Sequence, residues 1–421
     1  MIHTWKKSLL SFYDKRILAI FFFGFSSGLP FLLTLSTLSV WLKEAGASNT
    51  TIGFFILVTL PYTLKFLWGP LVDEIPLPFF TSRLGRRRSW ALVAQSGLVL
   101  TLLGLGNSFA TQDLLITAAW AFSVAMFSAL QDVTVEAYRI EIIDKNQQGS
   151  AASAMTVGWQ LGIMTSGAGA LFLATFFSWG FSYKLMAALM SIGLLTTLLS
   201  PLLSASQARA PRPSWRTWMT LTYRDPFRAL FHHFPWPLVF AIIFAFKIGD
   251  TVLSTMNIPF LVEIGFTKIE IAHTTKLFGI STMILGGIVG GVFLNRFGMF
   301  HSLLVAILLQ MAASFLFAAQ ALMGHHLTFL ILVVGVENLS VGFGAAAFMV
   351  YLSSFCRMPY TATHFALLSS FGSFVRVFIS IGAGMVADQI SWPLFFLGSA
   401  LGGLPCIALL CIAFRRPFSF S

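Results

Sequence analysis

The chain has 421 residues, of which 57% are hydrophobic and only 10% charged, and its mean hydropathy is +0.84. An ordinary soluble domain carries roughly 25% charged residues, so most of the surface of this 46.3 kDa chain must face lipid. That excludes a soluble enzyme, a nucleic-acid-binding domain and a secreted disulfide scaffold, and the formal charge of +11 reads as the bias of basic residues toward the cytoplasmic side of a membrane.

Crossing the hydrocarbon takes about 20 mostly apolar residues. Twelve runs qualify: 17–41, 51–72, 89–107, 114–138, 150–174, 181–203, 236–262, 272–294, 300–323, 327–354, 361–387 and 391–414. The composition and these runs predict an all-α polytopic membrane protein. The one long connection, 204–235, divides it into two six-helix halves, 1–203 and 236–421. With the N-terminus inside, nineteen of the 26 Lys and Arg fall on the cytoplasmic side, three fall opposite and the rest lie within helices. Both termini are therefore expected in the cytoplasm. Lys6, Lys7, Lys15 and Arg16 precede the first run, which no small-residue cleavage site interrupts, so it reads as a retained helix and not a signal peptide.

Taken in chain order, the polar residues within these runs are the informative ones, because a charge at the bilayer centre costs at least ~2.5–3.5 kcal/mol. In the first helix Gly28-Leu29-Pro30 falls at mid-membrane, where it permits either a bend that lines a cavity or a packing kink. Lys65 lies about 20 Å into the second helix. On the fourth, Asp132 and Glu136 stand one turn apart beside Gln131. They form a candidate proton site, since protonation removes the charge that resists passage through an occluded state; the alternative is a structural ion pair with Arg139 or Lys65. Trp159 and Gln160 on the fifth helix can stack on and bind a sugar ring. The connection mixes Arg209, Arg212 and Arg216 with Trp215, Trp218 and Tyr223, as an interfacial segment on an anionic leaflet does.

In the seventh helix Lys247 and Asp250 lie near the midplane, three residues apart, either as a self-neutralising pair or with Asp250 as a further proton site. Glu337 and Asn338 occupy the middle of the tenth helix and Arg376 that of the eleventh, where Arg376 can balance Glu337. Three cationic heads, Lys65, Lys247 and Arg376, directed into one cavity suit an anionic substrate. His364 stands alone in the eleventh helix, and Cys356, Cys406 and Cys411 read as small buried hydrophobes. The sequence holds no nucleophile or metal-ligand constellation and no phosphate-binding loop, so no enzymatic activity, cofactor or metal is expected and a proton gradient is the expected driving force.

Asp73 at the end of the second helix and Gly85-Arg86-Arg87-Arg88 before the third are answered in the second half by Gly291, Asn295, Arg296 and Gly298. This resembles the loop signature of the major facilitator superfamily, with an insertion containing Ile75-Pro76-Leu77-Pro78 in the first copy. An acid set against a helix N-terminus and its arginines can latch one conformation and release another. Two halves rocking about a central site is the mechanism this resemblance implies.

Longer strings are more specific. Gly24-Phe25-Ser26-Ser27-Gly28-Leu29-Pro30, Lys65-Phe66-Leu67-Trp68-Gly69-Pro70-Leu71-Val72-Asp73, Ser128-Ala129-Leu130-Gln131-Asp132-Val133, Lys247-Ile248-Gly249-Asp250, Glu337-Asn338-Leu339 and Ala362-Thr363-His364-Phe365-Ala366-Leu367-Leu368-Ser369 resemble the AmpG muropeptide permeases of Gram-negative bacteria. That resemblance implies a monomeric inner-membrane importer that brings anhydromuropeptides into the cytoplasm by proton symport, feeding cell-wall recycling. It also places Gly28, Gln131 and Asp132 in the functional region. Two features depart from the family: His364 stands where glutamine is usual, and several members carry two further helices. A same-fold symporter of another anionic solute, or a membrane receptor, are the competing expectations.

Overall fold

The computed structural model describes residues 14–108, 113–202, 224–233 and 235–415. Lys6, Lys7, Arg416 and the basic and aromatic residues from Arg209 to Tyr223 lie outside them. Among the described residues, eleven helices are long and apolar enough to cross a membrane. We label them α1 (Lys15–Glu44), α2 (Thr50–Leu67), α3 (Arg86–Gly106), α4 (Leu114–Ile142), α5 (Lys145–Phe176), α6 (Trp179–Leu199) and α7 (Trp236–Glu263). After the segment His273–Met323 come α10 (Leu327–Ser354), α11 (Thr361–Ala387) and α12 (Trp392–Phe414).

The 51 residues of His273–Met323 are two helices. Gly298 inside it has φ 78° and ψ 175°, a left-handed conformation that glycine alone adopts without strain. The packing shows that the chain turns back there. Gly286 meets Leu339 and Gly290 meets Phe343, so the earlier segment runs parallel to α10. Gly344 meets Ala306, whereas Phe317 packs with Leu330 and Val333, so the later segment runs antiparallel to α10. These segments are α8 (273–297) and α9 (299–323), which makes twelve membrane helices among the described residues.

Helix starts are set by local chemistry. Asp14 accepts from the Arg16 amide at 2.8 Å, Ser178 Oγ from the Phe181 amide at 3.1 Å and His326 Nδ1 from the Phe329 amide at 3.2 Å, each satisfying a donor that the first turn leaves free. Two helices differ from the sequence reading. α2 is a succession of short α- and 3₁₀-helical pieces that continues through Gly69–Glu74, because Pro61 and Pro70 each remove a backbone donor. α1 is continuous through Gly28 and Pro30, where a cavity bend and a packing kink were both open, and is interrupted at Thr34–Leu35.

In lipid, helices associate by close packing of small residues, since the surrounding chains are as apolar as the side chains. α1 and α5 do so backbone to backbone. A Cβ on Gly24, Gly28, Gly158 or Gly162 would run into the carbonyl oxygens of Met155, Trp159, Phe21 and Phe25 respectively. Two apolar clusters draw their buried members from α1–α6 and two from residues after 224. A fifth joins Val72, Leu130 and Ala137 to Ala362 and Ala366 of α11. Outward faces are apolar, as on α11, where Phe374, Phe378, Ile381 and Met385 recur at helical spacing and are each more than half exposed.

Candidate functional site

The polar side chains fall in two layers. The first closes the end of the bundle that carries Asp73 and the arginines. Asp73, fully buried, accepts from Arg87 Nη2 at 2.7 Å within its own half. It also accepts from the amides of Ala362 (3.2 Å) and Thr363 (2.8 Å) and from Thr363 Oγ1 (2.6 Å), all at the start of α11. A carboxylate thus caps the positive end of a helix from the other half of the chain. Arg87 also reaches Glu141 at 2.6 Å, and Arg86 donates to the Asp73 carbonyl. Arg88 turns elsewhere and donates to the carbonyls of Thr197 (2.7 Å) and Leu198 (2.6 Å) at the end of α6, where a cation complements the helix dipole.

A second seam runs between α5 and α8. Asn295 Oδ1 accepts from the Gly149 amide at 3.0 Å, its Nδ2 donates to Ser150 Oγ at 2.6 Å, and Ser153 Oγ donates to the Gly287 carbonyl at 2.7 Å. Between the seams Arg139 pairs with Glu136 at 2.8 Å and donates to Gln148 at 3.2 Å and to Ser353 of α10 at 2.6 Å. Arg296 lies over the Phe297 ring, 5.1 Å from its centroid. The side-chain hydrogen bonds that join α1–α6 to α7–α12 gather in this layer. Beside it, the Arg357 amide donates to His364 Nδ1 at 3.3 Å, which leaves Nε2 to donate to the Pro226 carbonyl at 3.0 Å. That bond ties the short helix Asp225–His233 to the start of α11.

The second layer lies deeper. In the first half Gln131 is buried and donates to Ser27 Oγ at 3.2 Å. Asp132 sits beside Ser27 and within electrostatic reach of Lys65 and Glu136. Phe31 bridges Tyr62 and Trp159, with ring centroids 5.5 and 5.7 Å away, and forms an aromatic wall from α1, α2 and α5. Gln160 follows Trp159 and is half-buried. In the second half Lys247 pairs with Asp250 at 3.3 Å and lies 4.8 Å from the centroid of the Phe348 ring. Glu337 accepts from Asn257 Nδ2 at 2.9 Å, whereas Arg376 donates to Ser254 Oγ at 3.5 Å.

Some sequence-derived positions therefore meet and others do not. Asp73, Arg86 and Arg87 come together, but Arg88 serves α6. Glu337 and Arg376, expected to balance one another, take separate partners on α7. Asn338 donates to the Val334 carbonyl at 3.0 Å and packs on Gly279, away from the charged groups. Gly28 is buried against the backbone of α5. Thr363, Glu141, Ser353, Asn257, Ser254, Phe31 and Tyr62 escaped the sequence reading. Only Ser254 and Asn257, at helical spacing from Lys247 and Asp250, carried a signal that could have exposed them.

Twelve apolar helices around a polar interior, sealed at one end by bonds between the two halves of the chain, define a membrane transporter. The chain belongs to the major facilitator superfamily, whose family model matches residues 17–363, and to its AmpG branch. It is 31% identical over 404 residues to the transporter AmpG 4 of Rickettsia felis, covering 95% of this chain and 96% of that one. It is 32% identical over 403 residues to the anhydromuropeptide permease of Escherichia coli K12, covering 95% and 80%. Among solved structures it resembles the human organic anion transporter MFSD10 (TM-score 0.68, 17% identity, 94% of this chain and 99% of that one). It also resembles FucP in its outward conformation (TM-score 0.66, 14% identity, 94% and 98%).

Proposed function

We propose that this protein imports anhydromuropeptides across the bacterial inner membrane together with protons, by alternating access between α1–α6 and α7–α12. The observation that carries the reading is the likeness to the Escherichia coli anhydromuropeptide permease along 95% of the chain. The interior supports it. The ring wall of Phe31, Tyr62 and Trp159 can stack on sugars, and Lys65, Lys247 and Arg376 suit a solute that bears carboxylates. The excess of basic residues at the sealed end supports placing that end and both termini in the cytoplasm, and on that placement the described state faces outward. The bonds of Asp73 and Asn295 hold that state, and each cycle breaks and remakes them. The protein works as a monomer, with no cofactor beyond the gradient.

Asp132 is the proton carrier in this scheme. It adjoins the half-buried Lys65, so protonation and substrate arrival act on the same charges. The test is uptake of radiolabelled anhydromuropeptide into proteoliposomes, with and without an inward proton gradient, for wild type and Asp132→Asn. Gradient-driven accumulation lost in the variant is the expected result. Accumulation that persists in the variant would move coupling to Asp250 or Glu136. Absence of uptake by folded, reconstituted wild type would overturn the substrate.

A further inference from the structure

The middle of α11 has two unlike faces. Phe374, Phe378, Ile381 and Met385 define the lipid side. At 3.6 residues per turn, Arg376 points about 170° away from that stripe. It shares its side of the helix with buried Gly372 and Ala383, yet its own side chain is exposed. It also lies about 22 Å along the helix from Thr361, near the bilayer centre. An exposed guanidinium on the inward side at that depth looks into a water-filled cleft, because facing lipid there would cost at least ~2.5 kcal/mol.

The helix opposite continues this polar surface. On α7, Lys247, Asp250, Ser254 and Asn257 recur at helical spacing and are all partly exposed. The two helices meet through Arg376 Nη2 and Ser254 Oγ at 3.5 Å and through the hydroxyls of Thr255 and Ser380 at 3.0 Å. The cations on this wall differ in what they have left to give. Lys247 is spent on Asp250 and on the Phe348 ring. Glu337, the acid that sequence suggested for Arg376, is bonded to Asn257. Among the described residues, no carboxylate lies within ion-pair distance of Arg376, and its bond to Ser254 is long.

We propose that Arg376, with the Ser254 hydroxyl beside it, binds a carboxylate of the transported solute. The peptide end of the ligand then lies against α7 and α11, and the sugars lie against Phe31, Tyr62 and Trp159 in the other half. A planar guanidinium offers two parallel donors that match a carboxylate, and an ammonium does not. The assignment rests on the muropeptide reading and adds to it an orientation and a chemical basis for selectivity: the acid groups of the peptide are read by one residue, separately from the glycan.

The experiment compares uptake of two radiolabelled probes, an anhydro-disaccharide tripeptide with free carboxyls and the same molecule with its carboxyls amidated, by wild type, Arg376→Gln, Arg376→Lys and Ser254→Ala. Arg376→Gln is expected to raise KM for the free acid about 10- to 100-fold, the worth of a charge-assisted hydrogen-bond pair, and to leave the amidated probe within about twofold. Arg376→Lys should fall between, since it keeps the charge and loses the fork. Ser254→Ala, which removes a hydroxyl only, should raise KM for the acid about threefold and serves where Arg376→Gln folds poorly. Equal losses on both probes, or none on either, would overturn the assignment while leaving transport intact. Failure of folded wild type to take up either probe would overturn the muropeptide reading itself, and that result is distinct because it appears without any substitution.

Discussion

Replacing Asp73 by Asn is expected to unlatch the sealed end without unfolding the protein. The carboxylate accepts three bonds from α11, at 3.2, 2.8 and 2.6 Å, and one from Arg87 in its own half. The Arg87 bond lies within one half and need not break when the halves separate, so the three bonds to α11 are the ones expected to bias the equilibrium. An asparagine keeps one acceptor oxygen and turns an NH₂ toward amides that are themselves donors, with no charge left to face the helix N-terminus. Hydrogen bonds to charged groups contribute about 1.5–3 kcal/mol each, so with one of the three retained the loss of two comes to about 3–6 kcal/mol. That shifts the ratio of sealed to open forms by about 100- to 20,000-fold. Spin labels on Ser48 and Thr267, both exposed at the far end of the bundle, report the change as an inter-label distance. Opening of the sealed end must close the far end, so the distribution should move to shorter values in the variant. An unchanged distribution in a folded, monodisperse variant would refute the assignment of Asp73 as a latch.

Other expectations are more local. Gly158→Ala should destabilise the protein by about 1–3 kcal/mol, because a Cβ there runs into the Phe21 carbonyl, and thermal melting in detergent against Gly398→Ala, where the space is open, checks it. Asn295→Asp should strengthen the α5–α8 seam by about 0.3–1 kcal/mol through a charge at the start of α5, and should slow uptake by a few-fold in a stopped-flow assay. The bonds from Arg16 hold the Asp14 carboxyl below its ordinary value of 3.8, so its contribution to folding is present above that value and is lost as pH falls through the lowered one. The melting difference between wild type and Asp14→Ala should accordingly be seen at neutral pH and vanish in strong acid.

The helices were legible because lipid imposes length and apolarity on each span, and the boundary of α8 and α9 follows from Gly298, which the repeated loop had already singled out. Asp73 and Arg87 were legible for the same reason, since their spacing carries the contact. What sequence left open was which helices face each other. Thr363 gives no sign in its own neighbourhood that it receives Asp73, 290 residues away. The expected Arg376–Glu337 balance fails for a related reason: depth along a helix says nothing of rotation about it, and α7 stands between the two. Gly28 read equally well as a cavity bend or as packing. The answer lay in Gly158 and Gly162 on another helix, which meet α1 from the other side.

The two seams that seal the bundle are built of unlike materials. On the α2–α11 side a fully buried carboxylate holds three donors, whereas on the α5–α8 side a neutral amide and a serine hydroxyl do the same work. A neutral contact breaks at a smaller cost than a charged one. The two edges should therefore part at unequal cost: separating the halves along the α5–α8 flank breaks neutral contacts only, whereas the α2–α11 flank holds the charged one and is the edge expected to part last.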